Sequence, residues 1–335
     1  MTEPLPATAV SATGPVLSVR DLHVTYRGAA GDVPAVRGVD LDVHSGETVG
    51  VAGESGCGKS TMAMALLRLL PPGTRTEGQI LLEGEDVLSM KAGRLRAVRW
   101  SGASIVFQGA QHALNPVQRV GEQITEAIRI HRVKGITAGG LLELVGLTPR
   151  RSQDYPHELS GGQKQRVMIA MALACDPRLL IADEPTTALD VMVQAQVLGL
   201  LEQIQAERGL ATVFITHDLS VLGSVAERLV VMYAGRIVEE GPADALLRDP
   251  KHPYTRALAE AFPTIGDPAS RFAPSGLPGD PPDPAAVPSG CPFHPRCPVA
   301  FEACTTTDVM LRGAGEVGAG RQAACLLVPA PAGAP

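Results

Sequence analysis

The segment that most constrains this chain is a short apolar run, Thr48 to Ala52, that passes directly into Gly53-Glu54-Ser55-Gly56-Cys57-Gly58-Lys59-Ser60-Thr61. It matches G-x-x-x-x-G-K-[ST] in full, and the helical pattern Thr61 to Leu70 follows it. Strand, glycine loop and helix in that order place unpaired helix N–H groups and a partial positive charge at the loop. Glycines let the backbone approach a phosphate closely. The segment therefore predicts a phosphate site inside an α/β fold with a parallel sheet. Gly53, Ser55, Gly56, Cys57, Gly58, Lys59, Ser60 and Thr61 are the candidate nucleotide ligands. Lys59 supplies charge to the β- and γ-phosphates, and Ser60 a hydroxyl to Mg²⁺. Cys57 occupies a variable position where a small side chain fits.

Three further apolar runs end in a polar group. Ser104 to Phe107 ends at Gln108, Leu179 to Ala182 at Asp183 and Glu184, and Val213 to Thr216 at His217. Short continuous apolar runs suit strands covered on both faces, and ligands sit beyond the carboxyl ends of such strands. Asp183 suits Mg²⁺ held through water, and Glu184 a carboxylate that polarises the attacking water. Gln108 can bridge metal and water, and His217 can donate to a γ-phosphate oxygen. The Mg²⁺ set is therefore Ser60, Gln108 and Asp183, and the catalytic set Glu184, His217 and Gln108.

A second anion site begins at Leu159-Ser160-Gly161-Gly162-Gln163, directly ahead of the helical run Lys164 to Ala174. One triphosphate needs one cradle, so this one serves something else.

Around these motifs, Val16 to Tyr26 and Val36 to Val43 alternate like half-buried strands and suggest an antiparallel sheet region. Val120 to Ile130 and Leu141 to Val145 have helical spacing, separated by Gly135, Gly139 and Gly140. They predict a small helical subdomain inserted at about 109–163. Met192 to Glu207, Ala243 to Arg248 and Tyr254 to Ala261 are further helices. Pro263 to Ser289 is proline-rich and reads as a linker. The domain expectation is a disordered tail at 1–15, an ATPase domain at 16–250 and a C-terminal extension at 251–335. A net charge of −6 argues against electrostatic nucleic-acid binding. No run approaches the roughly 18 apolar residues of a membrane span. Residues 1–15 lack signal-peptide features, so the expected compartment is the cytoplasm.

Cys291, Cys297, Cys304 and Cys325 lie at C-x5-C-x6-C-x20-C spacing. A tetrahedral zinc site, a [4Fe–4S] cluster and unliganded thiols all fit four such residues, while the compartment disfavours disulfides. The spacing lacks the C-x2-C pair of common zinc sites. His252 and His294 read as structural.

The order of Lys59-Ser60, Gln108, Ser160 in LSGGQ, Asp183-Glu184, Asp190 in TTALD and His217 resembles the ABC-type ATPases, over residues 16 to about 262. The resemblance implies a P-loop ATPase core with an antiparallel β subdomain, working as a head-to-tail dimer. It implies that ATP lies between one phosphate loop and the partner's LSGGQ. Ser160, Gly161, Gly162 and Gln163 then face the partner's nucleotide, Asp190 reaches across the dimer, and Tyr26 stacks on adenine. Tyr155-Pro156-His157-Glu158, the run from Leu180 to Gln196, Met232 to Arg236 and His252 to Arg256 resemble the oligopeptide/dipeptide importer branch, a pattern that nickel importers share. That branch implies a second ATPase subunit, identical or homologous, permease subunits, an extracytoplasmic solute-binding protein as indirect partner, and a place on the cytoplasmic membrane face. It also implies that the four cysteines hold a [4Fe–4S] cluster. Gly109-Ala110 departs from the branch's Asp-Pro, and the stretch after His131 is short and glycine-rich. An ABC ATPase without a membrane partner is the rival class; the long coiled coil of the repair types and the second cassette of the ribosome-associated types do not appear in the sequence.

Overall fold

The computed structural model describes residues 14–28, 31–109, 113–187, 189–261, 277, 279–314 and 320–329. The expected tail at 1–15 falls almost wholly outside these residues, as does much of the proline-rich stretch. Contacts divide the chain into two units. One comprises Met1–Ser18, Leu41–Glu47 and Leu81–Val213; the other comprises Val19–Asp40, Thr48–Ile80 and Phe214–Pro335.

The second unit carries the phosphate loop. Strand β1 (Leu17–Gly28), β2 (Gly31–Val43) and β4 (Arg75–Leu82) lie side by side in one sheet, in the order β2-β1-β4. Val19, Leu22, Val24, Val36 and Val39 alternate inward and are fully buried. Strand β3 (Thr48–Ala52) is buried at every residue and pairs in parallel with β9 (Arg228–Tyr233), Val51 opposite Val230. Both faces are covered, so β3 reads as a continuous apolar run.

Helix α1 (Lys59–Leu66) starts where the loop ends but stops four residues short of the expected Leu70. Arg68 takes a left-handed φ of 50°. Leu69 N–H then donates to the Met64 carbonyl at 2.8 Å and Arg68 N–H to Ala65 at 2.9 Å. This is a Schellman-type stop, formed without glycine, just before Pro71 and Pro72.

The same unit contains the C-terminal extension. Strand β10 (Arg236–Pro242) pairs antiparallel with β9, β12 (Gln322–Ala323) with β10, and β11 (Arg312–Gly313) with β12. The tail thus caps a sheet edge that would otherwise offer unpaired backbone groups. The junction is polar and buried. Glu239, 0% exposed, accepts from the N–H groups of Lys251 and His252 at 2.8 and 2.9 Å and from Arg321 at 3.1 Å. A buried carboxylate persists only with such partners. Helices α8 (Ala243–Arg248) and α9 (Pro253–Ala261) flank it, close to the expected bounds.

His252 is structural, as its sequence context suggests. It is buried, its Nδ1 accepts from Tyr254 N–H at 3.1 Å, and burial holds its pKa down to about 4, against a weaker opposing effect from the Ala324 backbone. A folded pKa below the unfolded value of ~6.5 makes the unfolded chain bind the extra proton first. The stabilising contribution is full above pH 6.5 and is lost as pH falls towards 4. Urea melts are therefore expected to show about 3 kcal/mol less stability at pH 4 than at pH 7 from this group. A His252→Gln chain should lack that component; an unchanged pH slope would assign it elsewhere.

The other unit holds the helical insert. Strands β6 (Ala103–Val106) and β7 (Leu179–Asp183) pair in parallel, Val106 opposite Ala182. The short β5 (Glu85–Asp86) pairs with the end of β4. Strand β8 (Ala211–Ile215) begins here, two residues earlier than its apolar run suggested. Helix α2 (Ala92–Ser101), α3 (Val120–Ile130), α4 (Ala138–Leu144), α5 (Gly161–Ala172) and α6 (Val191–Arg208) complete it. Gly139 and Gly140 lie inside α4 and do not separate helices. Thr137 caps it, its hydroxyl accepting from Gly140 N–H at 3.1 Å. A Cβ at Gly139 would stand 3.4 Å from Pro149, so the small residue also suits a close approach.

Candidate functional site

In the phosphate-loop unit, close contacts fix the loop at both ends. Gly53 has φ 149°, and a Cβ there would meet the Met232 carbonyl at 2.3 Å. Gly58, at φ 104°, would meet the Ala35 carbonyl at 2.3 Å. The Cys57 carbonyl accepts from Gly235 N–H at 3.0 Å. Only glycine tolerates these approaches, which is why the motif demands it at both ends. Lys59 is buried, its Nζ donating to the Gly53 and Glu54 carbonyls at 2.6 and 2.9 Å. Its ammonium is thereby poised over the loop. Burial pushes the Cys57 thiol up, with neighbouring Lys59 opposing, so Cys57 stays a neutral, small packing group. Tyr26 bonds Thr61 hydroxyl to hydroxyl at 3.1 Å, which fixes its ring beside the first turn of α1. His217 follows β8 and is exposed. Helix α7 (Leu219–Val225) begins just after it, capped by Asp218, which accepts from Ser220 and Val221 N–H.

In the other unit, Asp183 ends β7 and is buried, and Glu184 leaves the strand at a left-handed φ of 47°. That conformation costs a non-glycine residue about 1–3 kcal/mol and persists only where neighbours hold it. They do: Glu184 Oε2 accepts from the Gln108 amide and the Thr187 hydroxyl, each at 2.8 Å. Gln108 and Glu184, 76 residues apart, are thus brought together as the sequence predicted. The turn aims the two neighbouring carboxylates differently, one into the buried strand end and one towards Gln108.

The LSGGQ segment is the N-terminus of α5. Ser160 Oγ accepts from Gln163 N–H at 3.3 Å, and Gln163 Oε1 accepts from Ser160 N–H at 3.0 Å. This reciprocal capping box binds the Gln163 side chain within its own turn. Gly161 is the first residue of the helix. Gly162 sits against α6: a Cβ would meet Val193 Cγ1 at 2.3 Å. Asp190 caps α6, accepting from Val193 N–H at 3.0 Å. Ser160 and Asp190 are therefore exposed N-caps of two packed helices.

The four tail cysteines are half-buried thiols. Among the described residues no group of three or more His, Cys, Asp or Glu side chains could hold a metal ion. Burial, helped by the neighbouring Cys325, Cys304 and Cys297, pushes the Cys291 thiol up to about 11. The sequence reading missed a different set: Arg296, Tyr233, Tyr254 and Phe293, which surround Glu54 of the phosphate loop. Arg296 stands one residue before Cys297, in a segment whose thiols and His294 were its only candidate groups.

Comparison with known proteins agrees with this layout. The ABC transporter family matches residues 36–187, and the oligopeptide/dipeptide transporter C-terminal region matches 238–304. A putative peptide import ATP-binding protein of Brucella melitensis is 45% identical over 309 residues, 87% of this chain and 91% of that protein. The dipeptide transport ATP-binding protein DppD of Bacillus subtilis is 43% identical, over 86% and 88% of the two chains. The oligopeptide transport ATP-binding protein OppD of Salmonella typhimurium is 43% identical, over 90% and 92%. A solved dimeric ATP-binding cassette, MJ0796 with ADP and phosphate, aligns with a TM-score of 0.61 at 29% identity, over 68% of this chain and 98% of that one. Among the described residues no helix is long and apolar enough to cross a membrane. The chain is an ATPase, and it belongs to the ABC transporter ATP-binding family.

Proposed function

We propose that this chain is the ATP-hydrolysing subunit of a membrane importer for oligopeptides or dipeptides. The observation that carries the reading is that peptide-transport relatives match both the ATPase region and the C-terminal extension, at 43–45% identity. Lys59, with Gly53 and Ser55 to Thr61, binds the triphosphate, and Tyr26 stacks on the base. Ser60, Gln108 and Asp183 hold Mg²⁺, whose charge offsets that of the phosphates. Glu184 orients and polarises the attacking water, and His217 donates to the γ-phosphate. Ser160, Gly161, Gly162 and Asp190 meet the nucleotide of a second ATPase subunit, identical or homologous. Gln163 keeps Ser160 in place. ATP-driven closure and post-hydrolysis opening bias the attached permease between its states. The subunit then sits peripherally on the cytoplasmic membrane face, beneath its permease partners, and is served indirectly by a solute-binding protein.

Affinity capture of the tagged chain from membranes is the test. Polytopic permeases should co-purify, and deleting the gene should abolish uptake of labelled peptide. Recovery of ribosomes or DNA instead, or a loss of nickel uptake with peptide uptake intact, would overturn the peptide reading.

From the resemblance to the importer branch we infer that the four tail thiols hold a [4Fe–4S] cluster. The extension also needs a staple, because one of its apolar clusters consists of only Ala314, Ala323 and Val328, packed against Cys325. Protein purified without oxygen should contain about four iron atoms and matching sulfide per chain. Stoichiometric zinc would refute the cluster.

A further inference from the structure

The phosphate loop is gripped from the C-terminal extension at one residue. Glu54 is its second residue, and three parts of it are held. Its carboxylate is paired two-pronged by Arg296, with Nη1 to Oε2 at 2.6 Å and Nη2 to Oε1 at 3.0 Å. Its N–H donates to the Tyr254 hydroxyl at 2.8 Å. Its carbonyl accepts from Lys59 Nζ at 2.9 Å. Arg296 and Tyr254 both belong to the extension. Neither is a surface contact: the Arg296 side chain is 7% exposed and Tyr254 is fully buried. Arg296 also lies 6.0 Å from the ring centres of Tyr233 and Phe293, and the Tyr233 ring packs tilted against Tyr254 at 4.6 Å. The fork is thus fixed by a packed aromatic cluster, and the pairing with Glu54 raises the affinity of Arg296 for its proton.

We infer that Arg296 and Tyr254 are positioning residues for ATP binding, acting through Glu54 on the phosphate loop. The physics has two parts. A free carboxylate at the second loop position would repel the triphosphate at short range, and Arg296 neutralises it where solvent screens poorly. Glu54 also shares Lys59 through its own carbonyl, so freeing residue 54 loosens the support of the lysine that meets the phosphates. This gives the extension a role in the ATP site that its proline- and cysteine-rich sequence does not suggest. The inference rests on ATP binding at this loop.

The test is equilibrium binding of MgATP, together with kcat and KM, on the full chain. Arg296→Gln should weaken ATP binding about tenfold and raise KM to match, with kcat changed less than about threefold. Glu54→Gln, which loses the fork but leaves no carboxylate beside the phosphates, should weaken binding less than Arg296→Gln, by about threefold. The double variant should return to the Glu54→Gln value, because the unpaired charge is gone; a KM that moves while kcat holds is what a merely structural defect would not give. Arg296→Lys, which keeps charge but loses the fork, should cost about threefold, and it carries the test if Arg296→Gln does not fold. Tyr254→Phe, which alters no charge, should also cost about threefold. Unchanged binding in the Arg296 variants, or a defect that Glu54→Gln fails to relieve, overturns the inference. If the parent chain itself bound no ATP, the reading of the loop would fall instead.

Discussion

The Glu184→Gln chain is expected to bind MgATP as the parent does and to hydrolyse it at least about 100-fold more slowly. The substitution is nearly isosteric. Its amide oxygen can still accept from Gln108 and Thr187, which now hold the carboxylate at 2.8 Å. The local fold should therefore survive, including the left-handed turn at residue 184. What disappears is the charge that draws a proton from water as it attacks the γ-phosphate. Single-turnover phosphate release measures the chemical step, and binding of a labelled nucleotide measures affinity. With hydrolysis blocked, the closed dimer should accumulate in ATP. A slowing of less than about tenfold would mean that Glu184 does not have this role.

The second large effect is at Ser160. Replacing it with alanine would confuse two functions, because losing the N-cap alone costs about 1 kcal/mol of helix stability. Ser160→Asp separates them. Aspartate is as good a cap as serine, so α5 should keep its capping box with Gln163. Its melting temperature should stay within about 3 °C of the parent. The new carboxylate, however, would face the γ-phosphate held by the partner subunit. ATPase turnover should fall about 100-fold or more, while nucleotide binding to the phosphate loop remains. Ser160→Asn, neutral and also a good cap, should be far milder. Equal turnover in Ser160→Asp and the parent would remove this segment from the nucleotide site.

Much of this site was legible because its motifs are local. The glycines at 53 and 58 are demanded by the close approach of the Met232 and Ala35 carbonyls from outside the loop, yet the motif states them directly. The pairing of Gln108 with Glu184 was readable less directly, from two apolar runs that each end in a polar group at one sheet edge. Element ends were harder. The end of α1 depends on Arg68 adopting a conformation usually left to glycine, which no sequence pattern announced. The helix Ala92–Ser101 buries only Leu95 and Val98, too few apolar positions to stand out. Gly139 and Gly140 look like breakers, yet they sit in a first turn capped by Thr137. The grip on Glu54 was invisible for another reason. It joins residues 242 positions apart, and Arg296 carries no motif that ties it to the loop. Within the proline-rich stretch, Pro281 to Pro284 line a cavity of about 390 Å³ beside Glu54 to Cys57.

The central claim is that one ATP is held by the phosphate loop of one subunit and the LSGGQ segment of another. Mixing two inactive copies of this chain tests it most directly, with ATP hydrolysis by the purified parent establishing that two copies form a working dimer. Lys59→Ala lacks a working loop, and Ser160→Asp lacks a working LSGGQ. In a mixed head-to-tail dimer, one of the two sites combines the intact Lys59 with the intact Ser160. The mixture should regain about a quarter of the parent activity, since half the dimers are mixed and each has one good site. Activity no greater than the sum of the separate chains would contradict the account.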